Sequence, residues 1–405
     1  MLSRYLALDD FDPAAKRILP RCIYGYIAGG SETCTTLNGN RTAFDSYRFV
    51  PRVLTDTSVR SQQTELFGRS IAAPFGIAPM GAINIAARGG DMALAVAAES
   101  AGIPFILSAA ALTPMEKIID AAPSSWFQAY LPGENDRIIA QVDRVKSAGF
   151  GTLALTVDLP VPGNRENNIR AGWNMPLRPS LSLALDGITH PKWLRSTAFA
   201  TLAFDGMPHF ENMDAGRGPP ILSRTLSRDF GRRAALNWDH VKLMRDRWPG
   251  KLVLKGILAP EDAVIAQAAG VDGIIVSNHG GRQLDGAIES LHALPAIAAA
   301  ASRLTLLLDG GVRRGSDVLK ALALGAHAVL VGRPLLFAAV VGGQAGAGHA
   351  ITLLSQEIDR NMSLLGITTL DQLGPTLVRR VPSSGAQPVI SWKRAPRFLT
   401  IFAGR

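Results

Sequence analysis

Apolar runs recur along this 405-residue chain, and each stops at a polar residue or a glycine. They read FGIAP (75–79), PFILS (104–108), SWFQAY (125–130), TLALTVD (152–158), KLVLKG (251–256), GIIVSN (273–278), TLLLDGG (305–311) and HAVLVGR (327–333). Runs this short and this continuous suit parallel strands buried on both faces. Between them lie stretches such as GDMALAVAAESAG, NDRIIAQVDRVKSAG and GSDVLKALALG, in which alanine and leucine return at helical spacing and a glycine often follows the last turn. Eight strand–helix units in series predict the α/β class and, within it, a (β/α)8 TIM barrel.

One interval breaks the pattern. Between TVD at 156–158 and KLVLK at 251–255 the chain is far longer than one helix needs, so a long insertion follows strand 4. Residues 172–215 carry Trp173, Arg178, Leu181, Leu183, Lys192, Trp193, Leu194, Arg195, Phe199, Leu202 and Phe204. That mixture admits three readings: a disordered surface excursion, a lid over the site, or a patch that sinks apolar side chains into a bilayer interface while its cations meet anionic lipid. The rest of 1–380 reads as one catalytic unit, with 381–405 as a tail.

A barrel of this kind concentrates its chemistry at the C-terminal ends of its strands, so the residues closing the runs are read as one surface. They are Pro79, Met80 and Gly81, then Ser108, Gln128 and Tyr130, then Thr156 and Asp158, Lys255, Ser277 to His279, Asp309, and Gly332 with Arg333. Solubility alone explains any single Ser or Thr among them; a Lys, a His and two Asp are harder to explain that way. After the seventh run stands DGGVRRGSD and after the eighth GRP, so that Gly310 and Gly311 let backbone N–H groups approach an anion while Arg313 and Arg333 supply charge. A phosphate site often occupies those two loops in barrels.

Composition adds limits. With 42 Lys and Arg against 33 Asp and Glu and a pI near 9.9, the chain attracts anions, but its basic residues are divided between the loops and the insertion, which speaks against nucleic acid. Cys22 and Cys34 form no metal-spaced set, so no metal and a reducing, cytoplasmic setting are expected. The N-terminal apolar stretch before Asp9 is too short for a secretion signal, and PLLFAAVVGGQAGAGHAITLL is broken by glycines, Gln344 and His349, so any membrane contact is expected to be peripheral.

SNHGGRQLDG, with LTVD, LKGI, LDGGVRRGSDVLKALALGA and VGRP in the same order, resembles the FMN-dependent α-hydroxy-acid oxidases and dehydrogenases over about residues 5–370. LDGITHPKW, GMPHF and RDRWPGKLVLKGI are most similar to the mandelate dehydrogenases and membrane-associated lactate dehydrogenases of that family. The resemblance implies FMN as cofactor and oxidation of an L-2-hydroxy acid to its 2-keto acid. It assigns His279 as the base, acting on the α-proton in a carbanion mechanism or on the hydroxyl proton in hydride transfer, with Asp158 orienting the imidazole. Arg282 and Arg165 would hold the substrate carboxylate, and Tyr26 and Tyr130 its oxygens. Lys255 would lie near flavin N1, where negative charge collects on reduction. Pro79, Met80, Gly81, Gln128, Thr156, Ser108 and Ser277 would contact the isoalloxazine or ribityl chain, and Asp309, Gly310, Gly311, Arg313, Gly332 and Arg333 the ribityl and phosphate.

Two departures from the oxidase pattern carry further expectations. Gly81 stands where many oxidases have alanine, a feature of mandelate dehydrogenase that accompanies weak reaction with oxygen. A quinone or other non-oxygen acceptor is therefore expected, with a peroxide-forming soluble oxidase as the alternative. Ala110 in LSAAALT stands where glycolate oxidase has tryptophan, leaving space for a larger substituent on the substrate. A phosphate-binding barrel of other chemistry explains the glycine loops but not His279, Arg282 and Asp158 together. The family also implies a homo-oligomer, with 334–365 a candidate contact, and peripheral attachment to the cytoplasmic face of the inner membrane.

Overall fold

Side-chain alternation along eight strands decides the architecture. In the computed structural model, which describes residues 2–173, 181–222 and 233–381, the strands are β1 (Phe75–Ile77), β2 (Ile106–Ser108), β3 (Trp126–Ala129), β4 (Thr152–Thr156), β5 (Lys251–Ile257), β6 (Gly273–Val276), β7 (Thr305–Asp309) and β8 (Ala328–Val331). All are parallel and pair in sequence order from β2 round to β8, and β8 then pairs with β1. A parallel bridge between Ile77 and Phe105 closes the ring. Each expected run meets one of these strands, with β5 reaching one residue past its run.

A strand turns successive side chains to opposite faces. The outward set, including Phe75, Ile77, Leu107, Phe127, Leu153, Leu252, Leu254, Ile274 and Leu308, joins the large core between barrel and helices. The inward set, Ile106, Trp126, Ala154, Val253, Ile275, Leu307 and Leu330, forms a separate cluster inside the barrel. Two residues farther along each strand the alternation presents Ser108, Gln128, Thr156, Lys255, Ser277, Asp309 and Gly332. Period two therefore stacks a polar layer on an apolar one, and that layer is the floor of the site. The opposite end is plugged by the hairpin Thr64–Leu66 and Arg69–Ile71, whose Phe67 packs edge-on against Trp126 at 5.5 Å between ring centroids.

Helices follow the strands as the pattern predicts: α1 (Gly90–Ser100), α2 (Met115–Ala121), α3 (Asn135–Ser147), α4 (Trp238–Arg247), α5 (Pro260–Ala268), α6 (Ser290–Ala300), α7 (Gly315–Ala323) and α8 (Arg333–Leu365). Long and apolar enough by itself to cross a membrane, α8 kinks at Gly342 and Gly343 and buries Leu335, Phe337, Ile351, Leu354, Ile358 and Met362. Its extensive packing is against α1, α7 and the helix Phe11–Lys16, so these apolar positions of the stretch expected at a contact between copies are occupied inside the protein.

Over residues 181–204 the insertion is mostly helical, and it is anchored to the rest of the fold. Leu181–Ile188 is followed by a helical run from Pro191 to Phe204, π-helical over Leu194–Phe199. Asp186 accepts the backbone N–H groups of Arg21 and Cys22 at 3.1 and 3.2 Å, capping the helix Arg21–Ala28. Trp193 Nε1 donates to the Ile85 carbonyl at 2.8 Å, and Arg88 grips Asp205 with two bonds of 2.6 and 3.0 Å. Arg178 and the tail beyond Val381 lie outside the described residues.

Candidate active site

His279 follows β6 in a left-handed backbone conformation, φ +59°, and Gly280 and Gly281 continue it at +63° and +71°. Three such residues in succession double the chain back over the barrel mouth. Only glycine fits the third, because a Cβ on Gly281 would lie 2.4 Å from the Leu37 backbone nitrogen. His279 is the exception, a non-glycine residue held in a region that costs roughly 1–3 kcal/mol. Its N–H donates to Ser277 Oγ at 3.0 Å, which helps to hold it there.

The imidazole Nδ1 lies 3.0 Å from Asp158 Oδ1. A carboxylate only accepts, so Nδ1 carries the proton and Nε2 the lone pair. Burial, aided by the cations of Lys255 and Arg165, holds the His279 pKa below its ordinary value although Asp158 pulls it up. For Asp158, burial works toward protonation, but His279 and Lys255 outweigh it and keep the carboxyl below its usual range. The pair is a neutral base backed by an anion.

Gly256 sets the position of that anion. It sits in β5 at φ +112°, at a shift in the pairing of β5 with β6, and a Cβ there would come within 2.6 Å of Asp158 Cβ. Gly256→Ala is therefore expected to push Asp158 away from His279 and to slow flavin reduction by about 10²-fold, the usual effect of an ångström of misplacement. Stopped-flow reduction kinetics with the flavin content verified are the check; an unchanged rate would show that Asp158 adjusts freely.

Lys255 is held from two sides on the barrel floor, 2.6 Å from Asp309 Oδ2 and 2.7 Å from Ser277 Oγ. Burial favours its neutral amine, but Asp309 and Asp158 overcome that and raise its pKa, so it is a fixed cation. Ser108 donates to Gln128 Oε1 at 3.0 Å. Ser108 and Ser277, expected to touch a cofactor, are buried and hydrogen-bond Gln128, Lys255 and the His279 N–H. Every other sequence-predicted residue except Asp158, which stands behind His279, lines one cavity: Tyr26, Pro79, Met80, Gly81, Gln128, Tyr130, Thr156, Arg165, Lys255, His279, Arg282, Asp309, Gly310, Gly311, Arg313, Gly332 and Arg333.

Five arginines line this cavity, and two use the same anchors. Arg282 Nη1 donates to the carbonyls of Ile27 and Gly29 at 3.3 and 2.9 Å, while Arg333 Nε and Nη2 donate to the same two at 2.9 and 3.0 Å. Arg282 also lies over the Tyr26 ring at 5.1 Å, and that ring stacks on Trp173 at 4.4 Å. Burial first and the neighbouring guanidiniums second lower both arginine pKa values, that of Arg282 to about 10. Such a concentration of buried cations suits anionic ligands.

Several contributors were not legible in the sequence. Met213 and Arg233 reach the cavity from the insertion, and Leu159 and Pro162 from the chain after β4. Asn40 and Asn278 exchange amide hydrogen bonds of 2.7 and 2.8 Å that bind the His279 loop to the helix Thr35–Thr42. Asn278 stands in the SNHGG motif, but Asn40 lies in no motif, and only the pairing across 238 residues of chain reveals it.

Residues 15–380 match the sequence family described as FMN-dependent dehydrogenase. The chain belongs to that family. It is 39% identical over 387 residues to an L-lactate dehydrogenase of Xanthomonas campestris, covering 94% of this chain and 98% of that one. To an (S)-mandelate dehydrogenase of Pseudomonas putida it is 37% identical over 385 residues, covering 94% and 96%. Among solved structures, the monotopic membrane protein (S)-mandelate dehydrogenase superposes with a TM-score of 0.83 at 35% identity, over 93% of this chain and all of the other. A mandelate oxidase variant superposes at 0.76 with 33% identity, over 93% and 98% of the two chains.

The cavity suits the FMN that the family requires. Thr156 Oγ1 and Asp309 Oδ1 are buried at its floor without a protein hydrogen-bond partner, as expected of groups that meet a polar cofactor. The glycines after β7 and β8, with Arg313 and Arg333, are of the kind that would hold its phosphate, and Lys255 and Gln128 line the same cavity where they would meet its ring system.

Proposed function

We propose that this enzyme oxidises an L-2-hydroxy acid to the 2-keto acid. The observation that carries the reading is the neutral, Asp158-backed His279 in the same cavity as Arg165, Arg282 and the fixed cation Lys255. Loss of two electrons and two protons converts the hydroxy acid into the keto acid, and FMN supplies the acceptor for the electron pair. His279 Nε2 takes a proton, and Asp158 stabilises the imidazolium that results. Arg282 and Arg165 bind the carboxylate; Arg282 has to exchange a backbone carbonyl for it, a change in which one charge-assisted bond replaces another. Tyr26 and Tyr130 donate to the substrate oxygens, Tyr130 through a hydroxyl whose pKa burial raises, so that it stays protonated. Anaerobic mixing with (S)-mandelate, L-lactate and glycolate tests the reading: one or more bleaches the flavin absorbance, and no bleaching by any 2-hydroxy acid would overturn it.

The acceptor is a quinone or another non-oxygen acceptor, reached by a protein resting on the cytoplasmic face of the membrane as a homo-oligomer. Two features support the membrane contact. The (S)-mandelate dehydrogenase that superposes on this chain is described as a monotopic membrane protein. Leu181, Leu185, Ile188, Phe199, Leu202 and Phe204 of the insertion are exposed, beside the exposed cations Lys192 and Arg195. That composition suits a headgroup boundary, while Trp173 and Met213, near the two ends of 172–215, serve the cavity as a lid would. The triple variant Leu185→Ser, Phe199→Ser, Phe204→Ser is expected to stay in the supernatant with anionic vesicles that pellet the wild type, and to keep turnover with a soluble dye. Equal sedimentation of both proteins would remove this face from membrane attachment.

A further inference from the structure

Behind Tyr130 and Thr156 lies a second cavity, of about 250 Å³. It shares four wall residues with the first: Tyr130, Thr156, Leu159 and Arg233. The two are thus neighbours through one partition, with the Arg233 guanidinium 5.2 Å from the centre of the Tyr130 ring. Leu155 and Val157 at the end of β4, Ile257 of β5, and Leu236, Trp238 and Val241 at the start of α4 make its apolar wall, and Asn237 and Asp262 add polar atoms. Its origin is local. Gly256 contributes no side chain where the β5 pairing shifts, and Asn237 caps α4 by accepting the Asp239 N–H at 3.0 Å, which holds the first turn of that helix in place beside the barrel wall.

We propose that this cavity receives the distal end of the substrate's α-carbon substituent, so that the preferred substrates are 2-hydroxy acids with a medium-length unbranched alkyl or arylalkyl chain. The inference rests on the 2-hydroxy-acid reading above, and three observations lead to it. The partition contains Tyr130, placed there on the substrate's oxygens, so a substituent that passes Leu159 enters the second cavity without leaving the substrate site. Ala110 leaves space in the first cavity, and the apolar Leu159 and Pro162 line it, with Leu159 continuing into the partition beside Arg233 and Tyr130. Finally, Leu155, Val157, Leu236, Trp238, Val241 and Ile257 give one side of the second cavity an apolar lining, against which a hydrocarbon chain gains about fourfold in binding per methylene buried, while Arg233, Asn237 and Asp262 edge the rest.

The test compares flavin reduction by L-lactate, 2-hydroxybutyrate, 2-hydroxyhexanoate and 2-hydroxyoctanoate in the holoenzyme. Specificity, kcat/KM, is expected to rise along the series, mostly through KM. Val241→Phe and Leu236→Phe, each of which fills the cavity, are expected to lower the octanoate value at least tenfold and to leave lactate within about twofold. Should Val241→Phe fail to fold, Leu236, only half-buried, carries the comparison. A binding readout independent of turnover comes from Trp238, whose fluorescence is expected to change with 2-hydroxyoctanoate and not with lactate, the difference vanishing in Trp238→Phe. A specificity series that is flat or falls in an enzyme that lactate reduces overturns the cavity assignment alone, as does a parallel loss for lactate and octanoate in the filled variants. A Trp238 response to a soluble quinone analogue but not to 2-hydroxyoctanoate overturns it in favour of an acceptor site. Failure of every member of the series to reduce the flavin, with no Trp238 response, overturns both readings.

Discussion

His279→Gln is expected to reduce the rate of flavin reduction by a 2-hydroxy acid by about 10³- to 10⁴-fold while FMN stays bound. Glutamine fills much of the imidazole's space and can still face Asp158, but it has no lone-pair nitrogen to receive a proton. The residues suited to the flavin, among them Gln128, Thr156, Lys255 and Arg333, are untouched by the change. Anaerobic stopped-flow at the flavin absorbance maximum measures the effect, and a rate within tenfold of wild type would dismiss His279 as the base. The wild-type pH profile gives a second check. A base must be deprotonated to act, and burial holds the His279 pKa below its ordinary value, so kcat/KM should be level through neutrality and fall only as pH drops through that lowered pKa. A fall beginning above pH 7 would mean that the imidazole is more basic than its burial allows.

Lys255→Met should lower the stability of the holoenzyme by about 3–5 kcal/mol, the usual consequence of removing one partner from a buried ion pair. The side chains of Lys255 and Asp309 are 5% and 9% exposed, so Asp309 would keep a buried charge with its cation gone. Methionine matches the stem of lysine in volume, which separates the lost charge from lost packing. Adding Asp309→Asn removes the stranded anion and should recover part of the loss. Urea unfolding of wild type, both single variants and the double variant closes the cycle. Additive losses, with no recovery in the double variant, would show that the pair is not coupled. The reducibility of the flavin should fall as well, because the cation that favours negative charge on the ring system is gone.

Sequence pattern alone determined a large part of this protein. Strands buried on both faces must be continuous apolar runs, and eight of them at regular intervals, with helices between, leave few architectures other than the barrel; every run meets a strand. The same logic located the site, since in a barrel the residues that end the strands share one rim, and His279, Lys255, Asp309 and Arg333 meet there although they are scattered along the chain. The glycines after His279 were visible as letters, and their left-handed conformation is what those letters are for.

Only the tertiary structure decided which partners the polar residues find. Ser108 and Ser277 close their runs as Thr156 does, yet Ser108 is bonded to Gln128 and Ser277 to Lys255, whereas Thr156 Oγ1 has no protein hydrogen-bond partner. The sequence likewise holds no sign that Gly256 presses on Asp158, that Asn40 finds Asn278, or that Ile27 and Gly29 lend their carbonyls to two arginines. The insertion showed the same division: its composition announced apolar and basic surface, but its anchors, Trp193 on Ile85 and Asp186 on the helix Arg21–Ala28, join residues far apart in the chain. Periodicity reports which way a side chain points from its own strand or helix. What it meets there depends on the packing of other elements, and that is a property of the folded chain as a whole.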